Sequence, residues 1–195
     1  MVDGNSDLQS LIRRAKVFNP DLFNDLPAEL YQVLVEANRS KRQLNDAELI
    51  QFSAHSSLPP EQLLALRSLV EPCVREARAA LASQHPELFI AGGALASPER
   101  AEACWRDCEN FFRVVIYAVA AARPRFSDQP SIDALNELYG RMGVPTEGLA
   151  YALSQLSANS RSAFEARYDQ SPVTALLQDS FDNLRELLFG TSVKS

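Results

Sequence analysis

The sequence predicts an all-α protein, and three observations carry that prediction. Apolar residues recur at spacings of three and four in several segments, which is the pattern of helices with one buried face. No segment alternates apolar and polar residues as a half-buried strand does, and seven glycines are few for an all-β chain of this length. Prolines and capping residues divide the chain into segments of very unequal length. We therefore expect seven to nine helices rather than a simple four-helix bundle.

The longest predicted helix runs from Ser97 to Ala122. Ser97 is a suitable N-cap, and Pro98 fits the first helical position, where a missing N–H group costs nothing. The apolar face of this helix is predicted to be buried. That face comprises Ala101, Cys104, Trp105, Cys108, Phe111, Phe112, Val115, Ile116 and Val119. The opposite face is predicted to be polar; it comprises Glu102, Arg106, Glu109, Asn110 and Arg113.

The other helices are predicted from their breakers. Residues 1–26 are interpreted as an N-terminal extension with one short helix over 7–18, and residues 27–195 as the main domain. A long helix over 61–83 is expected to kink at Pro72, because proline removes a hydrogen bond and crowds the preceding turn. The remaining boundaries are predicted at these residues: Pro27, Asn45 or Asp46, Asp128 or Ser131, Gly143 to Pro145, Pro172 and Gly190.

Composition limits the classes of function. The net charge of −6 argues against a nucleic-acid surface, and no segment is apolar over a length that spans a bilayer. Three cysteines without regular spacing favour a reducing compartment over a disulfide framework. The first residues lack the features of a signal peptide. We expect a cytoplasmic protein with no membrane insertion and no nucleic-acid partner.

A motif in the longest helix resembles a known family. Cys104, Arg106 and Asp107 form a C-x-R-D pattern, which is followed by Phe111 and Arg113. Downstream, Tyr139 precedes Gly143-Val144-Pro145 at the matching spacing. Together these residues resemble the phycobiliproteins, the globin-related light-harvesting subunits of phycobilisomes. The resemblance covers roughly residue 28 to the C-terminus. It implies a globin-like phycobiliprotein fold with two N-terminal helices.

The resemblance also implies a cofactor and the residues that would hold it. In that family the cysteine carries a bilin, a linear tetrapyrrole, through a thioether. Cys104 would be the attachment site, and Asp107 would accept hydrogen bonds from the inner pyrrole N–H groups. Arg106 and Arg100 would pair with propionates, and Tyr139 would pack along the pigment. The spacing agrees with this, because residues at i and i+3 share one helix face.

Several departures from the family pattern favour a divergent member. Asn110 stands where the family often has a tyrosine beside the pigment, and the loop over 91–96 is apolar. The family's aspartate that pairs with a partner's arginine at the position of Arg113 is replaced by Asn38 or Arg39. The inter-subunit bridge is therefore expected to be lost, although a homodimer remains the expected state.

Simpler interpretations of the same residues stay open. Cys104 is explained equally by burial of a small apolar side chain, as we expect for Cys73 and Cys108. Arg106 and Asp107 are also compatible with an exposed helix face. His55 and His85 are candidate haem ligands, but both lie beside helix breakers.

We expect a non-enzymatic protein and carry three hypotheses for it. The first is a bilin-binding or bilin-transferring protein of light harvesting or bilin biosynthesis, on the cytosolic face of the thylakoid if it joins a phycobilisome. The second is an interaction protein of the same fold without a cofactor, which acts with phycobilisome subunits or bilin-synthesising enzymes. The third is a haem-binding globin or sensor.

Overall fold

The computed structural model describes the backbone of residues 4–190 and the side chains of residues 6–190. Over this range the chain forms nine α-helices and no β-strand, which confirms the all-α prediction. The helices are α1 (Gly4–Arg14), α2 (Ala28–Arg39), α3 (Asp46–Ser56), α4 (Pro60–Ser68), α5 (Val70–Gln84), α6 (Pro98–Ala120), α7 (Gln129–Met142), α8 (Thr146–Glu165) and α9 (Pro172–Phe189). Two 3-10 helices, Pro20–Phe23 and Pro86–Leu88, lie in the connections.

Helix α6 is the centre of the fold, as its length and apolar face predict. It packs against α3, α4, α5, α8 and α9. Its first turn is capped by the Ser97 hydroxyl, which accepts the Arg100 N–H at 3.3 Å. From residue 111 to residue 120 every side chain is buried. The core therefore forms around the C-terminal half of this helix.

Local capping explains most of the helix boundaries. Asn45 and Glu48 form a capping box at the start of α3, and Asp128 caps α7. Gly143 ends α7 in the left-handed conformation with φ of 65°. Helix α9 begins at Pro172 and ends before Gly190, as predicted. The polar stretch after residue 157 continues α8 to Glu165.

The expected kink at Pro72 is instead a break three residues earlier. Helix α4 ends at Ser68, and α5 begins at Val70. Pro72 lies in the first turn of α5, where its missing N–H group costs little. Because its ring crowds the preceding turn, the disruption falls before the proline rather than at it.

The N-terminal segment packs against the rest of the molecule. Its helix spans Gly4–Arg14 rather than the predicted 7–18, and it lies on α7. Asp7 accepts a hydrogen bond from Arg141 at 2.8 Å across this contact. Phe18 and Phe23 are buried in the main core with their rings stacked 5.1 Å apart. The division into 1–26 and 27–195 remains a prediction, and residues 1–3 and 191–195 lie outside the described residues.

Candidate ligand-binding cleft

Cys104 and Asp107 line the same small cavity, as their shared helix face predicts. This cavity, the Cys104 pocket, has a volume of about 120 Å³. Its walls are the N-terminal half of α6, the loop before it, and the connection between α7 and α8. The lining residues are Ala94, Leu95, Arg100, Ala103, Cys104, Asp107, Met142, Gly143, Val144 and Pro145.

A larger cavity, the Asp107 cleft, adjoins the Cys104 pocket. Its volume of about 560 Å³ falls in the range of small-molecule sites. The two cavities share the lining residues Ala103, Asp107, Met142 and Val144. Three further walls come from α7, from the end of α2, and from the N-terminal segment. Those walls contribute Leu135, Leu138, Tyr139, Asn38, Lys41, Ile12, Ala15, Lys16, Val17 and Phe18.

Asp107 and Tyr139 form the polar contact of the cleft. The Tyr139 hydroxyl donates a hydrogen bond to the Asp107 carboxylate at 3.1 Å. Burial raises the pKa of Asp107, although this hydrogen bond and the charges of Arg106 and Lys41 oppose the rise. Burial also raises the pKa of Tyr139, and the Asp107 charge adds to that rise. The Asp107 carboxylate therefore takes up a proton more readily than the carboxylate of an exposed aspartate does.

Two thiols lie next to this pair on α6. Cys104 is 6% exposed, and Cys108 is fully buried. A hydrogen bond with Cys108 lowers the pKa of Cys104, while burial and the Asp107 charge oppose this effect. The same contact and burial raise the pKa of Cys108. Cys73, buried elsewhere on α5, has its pKa raised to about 12 by burial. Cys104 is therefore the thiol that lines a cavity and whose pKa is lowered rather than raised.

The two arginines predicted to bind propionates take different positions. Arg100 borders the Cys104 pocket and donates to the Met142 carbonyl at 2.9 Å, which ties α6 to the end of α7. A Cβ atom on Gly143 would lie 3.1 Å from the Arg100 Nη2 atom, a contact that a small shift of this flexible side chain relieves, so φ is the main reason for glycine there. Arg106 is exposed and lines neither cavity.

Arg113, predicted on the polar face, is buried, and that prediction is wrong. It is 6% exposed, and it donates to the Tyr117 hydroxyl at 2.8 Å and to the Asn38 side chain at 3.4 Å. Its guanidinium also lies 5.2 Å from the Tyr117 ring centre. A charge can be buried where such partners replace water. The partners come from this chain itself, at the position where the family resemblance implies an inter-subunit bridge.

Sequence reasoning missed the basic side chains of the cleft. Neither Lys16 nor Lys41 is among the site residues predicted from the sequence. Both line the Asp107 cleft, together with Arg113. The sequence carried one signal for Lys41. Helix α2 ends without a glycine or asparagine, so another residue takes the left-handed conformation there.

The histidines lie away from the Asp107 cleft. His55 is exposed, and His85 contacts the Glu87 carboxylate at 3.1 Å. Between residues 4 and 190 no three metal-binding side chains gather as a site. Over the same residues, no helix has the length and apolar character needed to cross a bilayer.

Comparison with known proteins shows the family. The model of the family described as "Phycobilisome protein" matches residues 32–188, well over half of the chain. The chain therefore belongs to the phycobilisome protein family. The predicted phycobiliprotein resemblance is confirmed, and with it the globin-like, all-α fold class.

Individual relatives are similar at low identity. An allophycocyanin subunit beta-18 of Cyanophora paradoxa is 26% identical over 135 residues, which cover 68% of this chain and 78% of the relative. A C-phycoerythrin beta chain of Pseudanabaena tenuis is 30% identical over 65% of this chain and 69% of its own length. A C-phycocyanin beta chain of Galdieria sulphuraria is 33% identical over 52% of this chain and 57% of its own length.

Proposed function

We propose that this protein binds or transfers a linear tetrapyrrole as a non-catalytic member of the phycobilisome family. The observation that carries the proposal is the meeting of Cys104, Asp107 and Tyr139 at adjoining cavities. The first two residues come from one helix and the third from another, so the set depends on tertiary packing. A buried cysteine without a functional role would not require a cavity beside it.

The residues fit such a ligand. The Asp107 cleft is large enough for a drug-sized molecule, and most of its lining side chains are apolar. The Cys104 thiol is the site for a thioether link, and the Asp107 carboxylate is an acceptor for pyrrole N–H groups. Tyr139 would hold that carboxylate in place through its hydrogen bond. When bound, a bilin supplies absorption of visible light.

Arg100 and Arg106 fit the propionates of a bilin less directly. Arg100 would reach a propionate only by exchanging its bond to the Met142 carbonyl, and Arg106 only by turning in from the exposed face. We retain both as proposed propionate partners on the strength of the family resemblance. Their substitution by glutamine should weaken binding of a bilin if they have that role.

The test of covalent binding compares two cysteine variants. The purified apoprotein is incubated with a bilin, with and without a bilin lyase, and its visible spectrum and zinc fluorescence on a denaturing gel are recorded. Cys104→Ser should lose the fluorescent band. Cys73→Ser, a matched control on α5, should keep it. A wild-type protein with neither a red-shifted band nor zinc fluorescence would contradict the proposal.

A second candidate is an interaction protein of the same fold without a cofactor. Two observations favour it: Asn110 lines the Asp107 cleft in place of an aromatic wall, and Arg113 is bonded within its own chain. This function predicts a colourless protein that co-purifies with phycobilisome subunits or bilin-synthesising enzymes from a pigment-making host. A pull-down that recovers neither class of partner would remove its support.

The setting proposed for either function is the cytoplasm, at the cytosolic face of the thylakoid if the protein joins a phycobilisome. We also propose a homodimer. Sedimentation equilibrium at micromolar concentration tests this state, and a monomer mass throughout would contradict it.

A further inference from the structure

The Asp107 cleft is basic, although the whole chain carries a net charge of −6. The cleft is lined by three basic side chains, Lys16, Lys41 and Arg113, and by one acidic side chain, Asp107. Burial raises the pKa of that one carboxyl group, and the positive charges of Arg106 and Lys41 oppose the rise. Local positive charge on an acidic protein favours an anionic ligand at this place.

The two lysines are available for such a ligand, whereas Arg113 and the arginines around Lys41 make contacts within the chain. Arg39 and Arg42, on either side of Lys41, form ion pairs with Glu36 and Glu48. Arg113 is bonded to Tyr117 and Asn38. Across the part of the chain that the structure describes, neither lysine makes an ion pair or a side-chain hydrogen bond.

The backbone at Lys41 is a second and independent observation. Its N–H group donates to the Asn38 carbonyl, and the Arg42 N–H group donates to the Ala37 carbonyl, so α2 ends in a Schellman motif. Lys41 occupies the left-handed position of this motif, with φ of 51°, where glycine is favoured. Ser57, Ala122 and Gln170 also have positive φ, so the conformation is not by itself a mark of function. It fixes the position from which the Lys41 side chain leaves the end of α2, beside the cleft.

Lys41 also stands where two cavities meet. It lines the Asp107 cleft and a second groove of about 430 Å³, as do Asn110 and Arg113. Lys16 borders the cleft from another element, the segment that follows α1. The two lysines therefore belong to different walls of one opening, and the N-terminal segment supplies one of them.

We propose that Lys41 and Lys16 bind the carboxylates of the cleft ligand and so select an anionic molecule. This inference rests on the proposed function, since a bilin carries two propionate groups. It adds the end of α2 and the N-terminal segment to Arg100 and Arg106 as proposed places of charge recognition.

The test uses biliverdin and its dimethyl ester as probes, with noncovalent binding followed by absorbance titration at low salt. Wild-type protein should bind the diacid more tightly than the diester. Lys41→Gln should lower affinity for the diacid about fivefold, and Lys16→Gln with Lys41→Gln about twentyfold, while the diester is unaffected. Added salt should reduce these differences, because it screens exposed charges.

A backbone control separates charge from conformation. Lys41→Gly should raise the melting temperature by about 2 °C, since glycine relieves the left-handed strain, and should still weaken diacid binding. Ser57 is a matched residue, because it ends α3 in the left-handed conformation with φ of 60° and lies outside the cleft. Ser57→Gly should raise the melting temperature similarly and leave binding unchanged.

The outcomes distinguish this inference from the function on which it rests. Equal wild-type affinities for diacid and diester would overturn the lysine assignment and leave bilin binding intact. Binding of neither probe would overturn both. A loss of affinity in Ser57→Gly equal to that in Lys41→Gly would also overturn the assignment, since the effect would then come from the backbone.

Discussion

The two halves of α6 differ in what surrounds them, although they belong to one continuous helix. The C-terminal half, residues 111–120, is buried at every position and lies in the core, although Phe111, Arg113 and Val114 at its start also line the Asp107 cleft. The N-terminal half, residues 98–110, alternates buried and exposed positions, and it borders the Cys104 pocket and the Asp107 cleft. The C-terminal half holds the helix in place, and the N-terminal half presents a thiol and a carboxylate from a fixed position. Substitutions in the two halves should therefore separate stability from binding.

The largest effect is expected from Phe112→Ala in the buried half. Phe112 is fully buried, and its ring lies 5.5 Å from that of Phe181 on α9. Removing the ring leaves a cavity, so the free energy of unfolding should fall by about 4 kcal/mol. Urea denaturation measures this loss. Arg106→Ala, an exposed control in the other half, should change it by less than about 0.5 kcal/mol. Equal losses in both variants would remove the distinction between the halves.

A smaller loss is expected from Tyr139→Phe, which removes the donor to Asp107. The half-buried carboxylate would lose its hydrogen bond, so stability should fall by about 1.5 kcal/mol. Tyr151→Phe is the control, because no hydrogen bond of the Tyr151 hydroxyl is present among residues 6–190. A cost no greater than that of the control would show that the Asp107–Tyr139 contact contributes nothing to folding.

The pH dependence of stability should report on Asp107. Burial raises the folded-state pKa of this carboxyl group above its ordinary value of 3.8, so the folded protein binds the proton more tightly than the unfolded chain. Its contribution is therefore present below the unfolded-state pKa and is lost as pH rises through the folded-state pKa. Asp107→Asn should gain stability relative to wild type as pH rises from 3.5 to 7. A difference between the two proteins that is independent of pH would contradict this.

The smallest effect is expected from Asn110→Ala in the cleft half. Asn110 is half-buried and borders both the Asp107 cleft and the groove beside it. Because its side chain faces cavities rather than packed neighbours, its loss should change stability by less than about 0.5 kcal/mol. Thermal melting in parallel with Phe112→Ala measures the contrast. A loss above about 1 kcal/mol would show that this half of α6 also supports the core.

Much of the fold was predictable because its signals are local. Ser97, Asn45 and Asp128 cap the helices that they were expected to cap, each through a bond to a backbone N–H group three residues away. The break before Pro72 was misplaced, because the steric effect of proline falls on the turn that precedes it. The end of α1 was also misplaced, since its packing on α7 is a contact between distant parts of the chain.

The site was predictable only in part. Cys104, Asp107 and Tyr139 were identified from the family motif, and the structure brings all three to adjoining cavities. The burial of Arg113 was missed, because its partners Asn38 and Tyr117 lie on different helices. Whether an arginine faces water depends on such partners, and helical periodicity does not predict them.

The sequence by itself determined the helical class, most helix ends and the family, because these depend on residues within about one helical turn or on a contiguous motif. Only the tertiary structure decided that the N-terminal segment lies beside Asp107 and that two lysines border the same cleft. A cavity is the space left between elements distant in sequence, so its shape and charge depend on how those elements pack.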